Sequence, residues 1–481
     1  MERFLKLVLH DWRAKNSFYL KERLQNGLYR FIGHESFSGI LLFVCVIVAM
    51  ILANLPSTAN HYFSLWQSKI TLSFGDFHQE TTLIHLINDF LMSFFFLMVG
   101  LEMKREVLYG DLMGFKKMSF SMFGALGGIV VPIVLYLSFN YGLEGSGGFG
   151  IAMSTDTAFA LGVIFLLGKR IPSVLKIFLV TLAVTDDLGA VIIIAIFYTE
   201  QIDLLWLSLA GASMIGLIYL NFRDTKYIFL YLVFGMFLWY STLQSGIHPT
   251  ISAVLLAFCI PGKTKINKMY FEKMFNEWKK LDFEEISKMK IPNEEKNFFT
   301  SGKRAISKFF CSTQTQEMDI HKMSQYVHIL DCIGKYSYYA KNPLLGLELA
   351  LQPICAYFIV PLFAFANGGV RIVEGREFFS EPMMWGIALG LVVGKPIGIL
   401  LFTYLSEKLN ISIKPKDLSY KHILSVGFLA GIGFTMSMFV ATLAYESEAM
   451  VDLAKLSVLF SSLIATILGI TTLFFSTKPT S

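Results

Sequence analysis

Long apolar stretches separated by short polar ones run through most of the chain, from Phe37 almost to the C-terminus. A helix needs about 20 mostly apolar residues to cross the roughly 30 Å hydrocarbon layer of a membrane. Stretches of about that length predict twelve transmembrane helices, over residues 37–54, 83–103, 119–141, 150–168, 173–198, 205–222, 226–242, 247–261, 343–367, 385–406, 422–445 and 453–476. We therefore expect an all-α integral membrane protein.

Composition agrees with that expectation. Of the 481 residues, 54% are hydrophobic and 16% charged, and the mean hydropathy is +0.57, which is too apolar for an ordinary soluble protein of this length. If the N-terminus is cytoplasmic, the outward loops contain few basic residues, namely Lys69, Arg371, Arg376 and Lys455. The net charge of +5 then reflects basic residues on the inner side, as the positive-inside rule requires, and no nucleic-acid partner is expected.

Charge also divides the chain along its length. The segment between the eighth and ninth predicted spans holds fifteen Lys or Arg and ten Asp or Glu residues. It could be a small folded unit, a regulatory segment or a solvated linker. The predicted organisation is a cytoplasmic leader at 1–34, transmembrane helices at 35–261, a cytoplasmic insertion at 262–342, transmembrane helices at 343–476 and a cytoplasmic tail at 477–481.

Four ionisable residues, Asp156, Asp186, Asp187 and Lys395, lie near the middle of apolar spans. Each costs about 2.5–3.5 kcal/mol at a helix centre by insertion scales. One aspartate paired with the lysine could serve structure alone. Three aspartates against one lysine leave surplus carboxylate, which must either be protonated or hold a cation. This surplus predicts a transport role.

Asp186 and Asp187 are adjacent, so on a helix their side chains point about 100° apart and can serve different purposes. One carboxylate can bind a small hard cation such as Na+ or Li+, while the other pairs with a lysine or releases protons. A site that accepts either protons or a metal ion, but not both, is an exchanger.

Two spans contain residues that interrupt helices. Ser154, Thr155, Asp156 and Thr157 have side chains that compete with helical hydrogen bonds, and the stretch 430–437 contains two glycines. Breaks of this kind aim half-helix ends at the membrane midplane, where N-terminal ends suit an anionic Asp156 and C-terminal ends a cationic Lys395. Ordinary glycine-mediated packing is the alternative for the second stretch.

A glycine repeat at every fourth position occupies the tenth predicted span, at Gly386, Gly390, Gly394 and Gly398. It predicts a smooth face for close approach of another helix. The dipeptide Gly394-Lys395 is not a phosphate-binding loop, because Pro396 stands where Ser or Thr is needed. The nine histidines form no metal-binding motif, so no cofactor is expected.

Several motifs resemble the NhaA family of sodium/proton antiporters in order and spacing. They are Ile87-Asn88-Asp89, residues 99–106 (VGLEMKRE), 155–162 (TDTAFALG), 186–190 (DDLGA), 361–367 (PLFAFAN), Gly394-Lys395-Pro396 and 431–437 (GIGFTMS). The likeness covers residues 35–261 and 343–476. It implies a fold of inverted repeats in which two interrupted helices, 150–168 and 422–445, cross each other.

The resemblance also implies roles for the midplane residues. Asp187 and Asp186 would carry the ion and the protons, with Thr155 beside them. Lys395 would be the charge partner of Asp186, and Asp156 would compensate charge at the crossing. The implied exchange in the bacterial inner membrane is electrogenic, moves more protons in than Na+ or Li+ out, and supports pH homeostasis and salt tolerance.

Further expectations come from the same resemblance. The residues matching a cytoplasmic funnel and pH activation are Glu102, Lys104, Arg105, Glu106 and Glu348, and Asp89 is a further buried acid. Leu349 and Gln352 replace histidines of the best-known family pattern, which implies a shifted or differently built pH response. The leader and the insertion are not part of the common pattern. The family further suggests a homodimer, embedded in lipid, that forms through residues 55–82.

Three alternatives remain at this stage. Intramembrane aspartyl proteases also use two aspartates, but on separate helices in tyrosine- or glycine-aspartate motifs that the predicted spans of this chain lack. A sodium-coupled symporter would need a cavity for an organic solute. A channel is disfavoured because a midplane lysine beside the carboxylates opposes free cation flow.

Overall fold

The computed structural model describes residues 36–74, 77–109, 115–167, 171–199, 202–262, 272, 276, 342–372, 378–415 and 418–477. The predicted leader, almost all of the predicted insertion and the last four residues lie outside this set. The chain divides into one compact unit of Met1–Ile260 with Leu347–Ser481 and a second of Pro261–Gly346. Within the second unit, Asn342 Nδ2 donates to the Gly262 carbonyl at 2.6 Å, which joins the unit's two ends.

Helices account for most of the described residues. They are α1 Ser36–Asn54, α2 Ala59–Trp66, α3 Leu83–Tyr109, α4 Phe115–Asn140, α5 Thr157–Leu166, α6 Ser173–Phe197, α7 Leu204–Phe222, α8 Ile228–Gln244, α9 Thr250–Cys259, α10 Pro343–Asn367, α11 Pro382–Lys408, α12 Tyr420–Ala430, α13 Phe434–Ala444 and α14 Glu448–Ser476. Three contain a π-helical turn: Leu86–Leu91 in α3, Cys355–Ile359 in α10 and Gly390–Gly394 in α11. The other elements are the 3-10 helices Glu144–Met153 and Phe378–Ser380 and the antiparallel strands β1 Lys69–Phe74 and β2 Phe77–Thr82.

Seven of these helices, α3, α4, α6, α7, α10, α11 and α14, are long and apolar enough to cross a membrane. Three bent pairs raise the number to as many as ten in the described part of the chain: α1 with α2 at 114°, the first 3-10 helix with α5 at 41°, and α12 with α13 at 49°. The shorter apolar helices α8 and α9 cover two more predicted spans. The protein is therefore helical and multi-pass, while the count of twelve stays a prediction.

The glycine face of α11 packs against α4, as its spacing predicts. Gly127 and Gly398 lie so close that a Cβ on either would overlap the other's carbonyl. A Cβ on Gly394 would lie 3.0 Å from Pro132 Cα, and one on Gly390 would lie 3.5 Å from the Pro132 carbonyl oxygen. This close packing positions Lys395, the residue after Gly394.

Candidate functional site

Two helix breaks, both at predicted positions, contact each other in the protein interior. The first 3-10 helix ends at Met153, residues 154–156 are extended, and α5 begins at Thr157. The second break separates α12, which ends at Ala430, from α13. The Asp156 amide donates to the Ile432 carbonyl at 2.7 Å and joins the two breaks.

Asp156 accepts hydrogen bonds from the N-terminal ends of two helices. Its Oδ1 accepts from the Phe159 amide of α5 at 2.9 Å. Its Oδ2 accepts from the amide of Thr435 in α13 at 3.1 Å and from the hydroxyl of the same residue at 2.5 Å. The first amides of a helix lack intrahelical partners and carry positive partial charge, so one buried carboxylate satisfies both ends.

Lys395 is fully buried, and its ammonium contacts two of the predicted site residues. Nζ donates to Asp186 Oδ2 and to the hydroxyl of Thr155. That hydroxyl also lies 2.6 Å from Asp186 Oδ2 and 2.9 Å from the Ala430 carbonyl, at the C-terminal end of α12. Since a hydroxyl has one proton, Thr155 donates to only one of these two acceptors at a time.

The two adjacent aspartates have different surroundings, although α6 presents both to the interior. Asp187 Oδ2 lies 3.3 Å from the hydroxyl of Thr157, the first residue of α5. Asp186 Oδ1 is buried without a hydrogen-bond partner among the described residues. Carboxylate and hydroxyl oxygens suit a small hard cation, and a buried carboxylate can equally bind a proton. This arrangement is therefore chemically able to hold either.

Four of the five predicted funnel residues gather in a second cluster. One guanidinium, that of Arg105, lies 3.6 Å from Glu102, 3.2 Å from Glu106 and 3.1 Å from Glu348. Lys104 points elsewhere: its ammonium donates to the carbonyls of Phe258, at 2.6 Å, and Ile260 at the end of α9. The last carbonyls of an α-helix have no intrahelical N–H partner, and the Lys104 ammonium supplies that donor at the end of α9.

Asp89, which was predicted as a further buried acid, is half-buried and lies apart from the site around Lys395. It lies in the π-helical turn of α3, where its side chain keeps 28% exposure. The imidazole of His248 lies 3.8 Å from its carboxylate, and Asp89 does not belong to the cluster around Lys395.

The sequence analysis missed the partners of several polar residues. It treated Thr157 as a helix-competing residue and Thr435 as part of the stretch 430–437, and it predicted no contact of either hydroxyl with a site carboxylate. Lys455 was placed in an outward loop, but α14 already begins at Glu448 and buries it. Its ammonium donates to Asn367 Oδ1 at 3.3 Å, and Asn367 donates to Asn88 at 2.8 Å. The signal that could have revealed it was its place in the first turns of a long apolar stretch.

Comparison with known proteins gives a consistent result. Residues 29–473 match the family described as Na+/H+ antiporter 1. The chain is 45% identical to the Na+/H+ antiporter NhaA of Wolinella succinogenes, over 92% of this chain and 91% of that protein. It is 45% identical to NhaA 2 of Helicobacter hepaticus (93% and 95%) and 43% identical to NhaA of Helicobacter pylori (93% and 95%).

These matches extend across both predicted transmembrane parts. On this extent of similarity, the chain belongs to the NhaA family of Na+/H+ antiporters.

Proposed function

We propose that this protein is an electrogenic antiporter that exports Na+, and also Li+, in exchange for H+ across a bacterial inner membrane, and so supports pH homeostasis and salt tolerance. Its family and its relatives support sodium/proton antiport. Members of an antiporter family are transporters, so the protein is not an enzyme, and the aspartyl protease alternative is set aside.

The observation that carries the proposal is the surplus of buried carboxylate at the two helix breaks. Lys395 neutralises at most one of the two adjacent carboxylates, that of Asp186. Asp187, buried beside it, then needs a proton or a bound cation to be stable away from water. Either ligand meets the same electrostatic need, which supports competition between them.

Competition of this kind produces exchange when the site opens to one side at a time. Asp187 and Asp186 carry the ion and the protons, and the Thr155 hydroxyl offers a further oxygen. Lys395 and Asp156 compensate charge: the ammonium balances Asp186, and the carboxylate of Asp156 balances the two helix N-termini. The two carboxylates carry two protons inward and one Na+ outward in each cycle. More protons than sodium ions therefore cross the membrane, and net charge moves.

The Arg105 cluster supports a role in pH regulation at a cytoplasmic funnel. Glu102, Glu106 and Glu348 share one guanidinium, so protonation of any of them changes how strongly it holds the other two. Lys104 belongs to the same funnel in this proposal, and its contacts with α9 support a positioning role.

The architecture is proposed in the same terms. Twelve spans, arranged as inverted repeats with two crossed interrupted helices, occupy 35–261 and 343–476, with 262–342 and both termini in the cytoplasm. The two helix breaks and their hydrogen bond support the crossing. The protein is a homodimer in lipid that associates through residues 55–82. In support, β1 and β2 pair with each other as a two-stranded sheet, which leaves an edge of each for a second copy.

Proteoliposomes loaded with a pH-sensitive dye test the function directly. Added Na+ or Li+ should dissipate an imposed pH gradient with wild-type protein and fail to do so with Asp187→Asn. The matched control is Asp203→Asn, because this exposed aspartate caps α7 and asparagine caps a helix equally well. Full exchange by Asp187→Asn would sink the assignment of the ion site. No exchange by the wild type, with Na+-dependent uptake of an organic solute, would establish the symporter instead.

Orientation is tested by labelling in intact cells. Tyr141 and Leu409 are both exposed, the first at the predicted outward face and the second at the predicted cytoplasmic face. A cysteine replacing Tyr141 should react with an impermeant reagent added outside the cells. A cysteine replacing Leu409 should react only in inverted vesicles. The reverse pattern would refute cytoplasmic termini.

A further inference from the structure

The outward half of the first interrupted helix is a ten-residue 3-10 helix, Glu144–Met153. Runs of 3-10 helix longer than three or four residues are uncommon, because their hydrogen-bond geometry is poorer than that of an α-helix. Glycine, which four of these ten positions hold, lowers the preference for an α-helix but does not create a long 3-10 helix. Contacts from outside the segment must therefore stabilise this form.

Three tyrosine hydroxyls, each from a different helix or helix end, bind the backbone of this segment. The hydroxyls of Tyr136 in α4 and Tyr445 after α13 lie 2.9 Å apart, and both are within hydrogen-bond distance of the Gly145 carbonyl, at 2.6 and 2.8 Å. The hydroxyl of Tyr198, after α6, donates to the Gly147 carbonyl at 2.7 Å. It also accepts from the Gly150 amide at 3.2 Å. We call these three residues the tyrosine clamp.

The glycines make room for the clamp. A Cβ on Gly148 would overlap the Tyr445 hydroxyl and lie 2.7 Å from the Tyr136 hydroxyl. One on Gly150 would lie 2.7 Å from the Tyr198 hydroxyl. Real Cβ atoms essentially never approach another heavy atom this closely, so the hydroxyls reach the backbone only where side chains are missing. The glycines of the segment and the tyrosine hydroxyls are therefore sterically complementary.

The segment leads directly into the proposed ion site. Two carbonyls near its end accept hydrogen bonds from further hydroxyls. The Ser154 hydroxyl donates to the Gly150 carbonyl at 3.1 Å, and the Ser437 hydroxyl donates to the Ile151 carbonyl at 2.8 Å. Residues 151–154 are buried and contain no glycine, so a shift of the segment along its axis is passed on to Thr155, four residues after Ile151. A 3-10 helix rises about 2.0 Å per residue and an α-helix about 1.5 Å, so ten residues would shorten by roughly 5 Å on conversion.

We propose that Tyr136, Tyr198 and Tyr445 are positioning residues for ion exchange: by holding Glu144–Met153 in its extended 3-10 form, they keep the Thr155 hydroxyl beside Asp186 and Lys395. This inference rests on the proposed function of that site. The tyrosines act on the transported ion through the backbone and do not touch it.

The test replaces each tyrosine with phenylalanine, which keeps the ring and removes only the hydroxyl. The matched control is Tyr141→Phe, since Tyr141 lies just beyond α4 and is exposed. Tyr198→Phe should raise the apparent Na+ KM of exchange about tenfold, which corresponds to about 1.4 kcal/mol, the order of one hydrogen bond. Its maximal rate should change far less, because the carboxylates remain in place. Tyr136→Phe should act in the same direction through a separate contact.

Amide hydrogen exchange over residues 144–153 gives a readout that does not depend on transport. It should become faster in the clamp variants and stay unchanged in Tyr141→Phe. Unchanged amide exchange in both Tyr198→Phe and Tyr136→Phe would overturn the clamp. Faster amide exchange with an unaltered Na+ KM would overturn its positioning role. Absence of Na+/H+ exchange in the wild type would overturn the proposed function. Amide hydrogen exchange would then still test whether the tyrosine clamp stabilises residues 144–153.

Discussion

The ion pair between Lys395 and Asp186 is the contact whose removal has the most predictable cost. Lys395→Met deletes the ammonium and keeps a linear side chain of similar length, so Asp186 stays buried with the Thr155 hydroxyl on Oδ2 and no partner on Oδ1. Removing one partner of a buried pair costs about 3–5 kcal/mol, because the other charge is left uncompensated. The double variant Lys395→Met with Asp186→Asn lacks both charges, so it should recover most of the stability that the single variant loses.

Thermal unfolding of purified protein in detergent, at one fixed scan rate, measures this order of stability. The single Lys395→Met variant should have a clearly lower apparent Tm than the wild type, and the double variant should lie between them. Lys408→Met is the control, since this lysine ends the same helix, is exposed and should contribute little. A double variant no more stable than the single one would refute an energetically coupled ion pair.

The remaining predictions concern packing, capping and charge movement. Gly127→Ala and Gly398→Ala should each lower the apparent Tm, because the added methyl forces α4 and α11 apart at a loss of about 1–3 kcal/mol of stability. Gly211→Ala is the control, since the space around Gly211 is open and its Tm should not change. Equal effects of all three substitutions would refute the packing argument. Lys104→Met should lower the apparent Tm and leave the Na+ KM unchanged; a raised KM without destabilisation would instead place Lys104 in the ion path. An inside-negative potassium diffusion potential should speed proton entry, since each net charge gains about 2.3 kcal/mol per 100 mV, and exchange indifferent to the potential would refute electrogenicity.

Local pattern was sufficient for the helices and for the helix breaks. An apolar stretch of membrane length can satisfy its backbone only by forming a helix, so spans such as α3 and α11 follow from hydropathy. Ser154–Thr157 and the glycines after Ala430 interrupt helices for reasons internal to those few residues. The four midplane charges could be singled out because an ionisable group in an apolar span is costly wherever the helix is placed.

Partnerships between distant segments were not accessible in the same way. Nothing near Thr435 in the chain marks it as a donor to Asp156, from which 279 residues separate it. Likewise, the motif that contains Lys104 groups it with its neighbours in the chain, yet its ammonium lies at the end of α9, 154 residues away from the first of its acceptors. The same holds for Lys455 and for the tyrosine clamp.

The amino-acid sequence by itself thus determined that this is a helical membrane protein, where two of its helices break, and which buried charges require compensation. The tertiary structure decided which donor meets which acceptor: Lys395 with Asp186 and Thr155, and Asp156 with the ends of α5 and α13. The physical reason is that hydropathy and helix breaking are properties of a few consecutive residues, whereas a hydrogen bond across the membrane interior depends on how whole helices are packed.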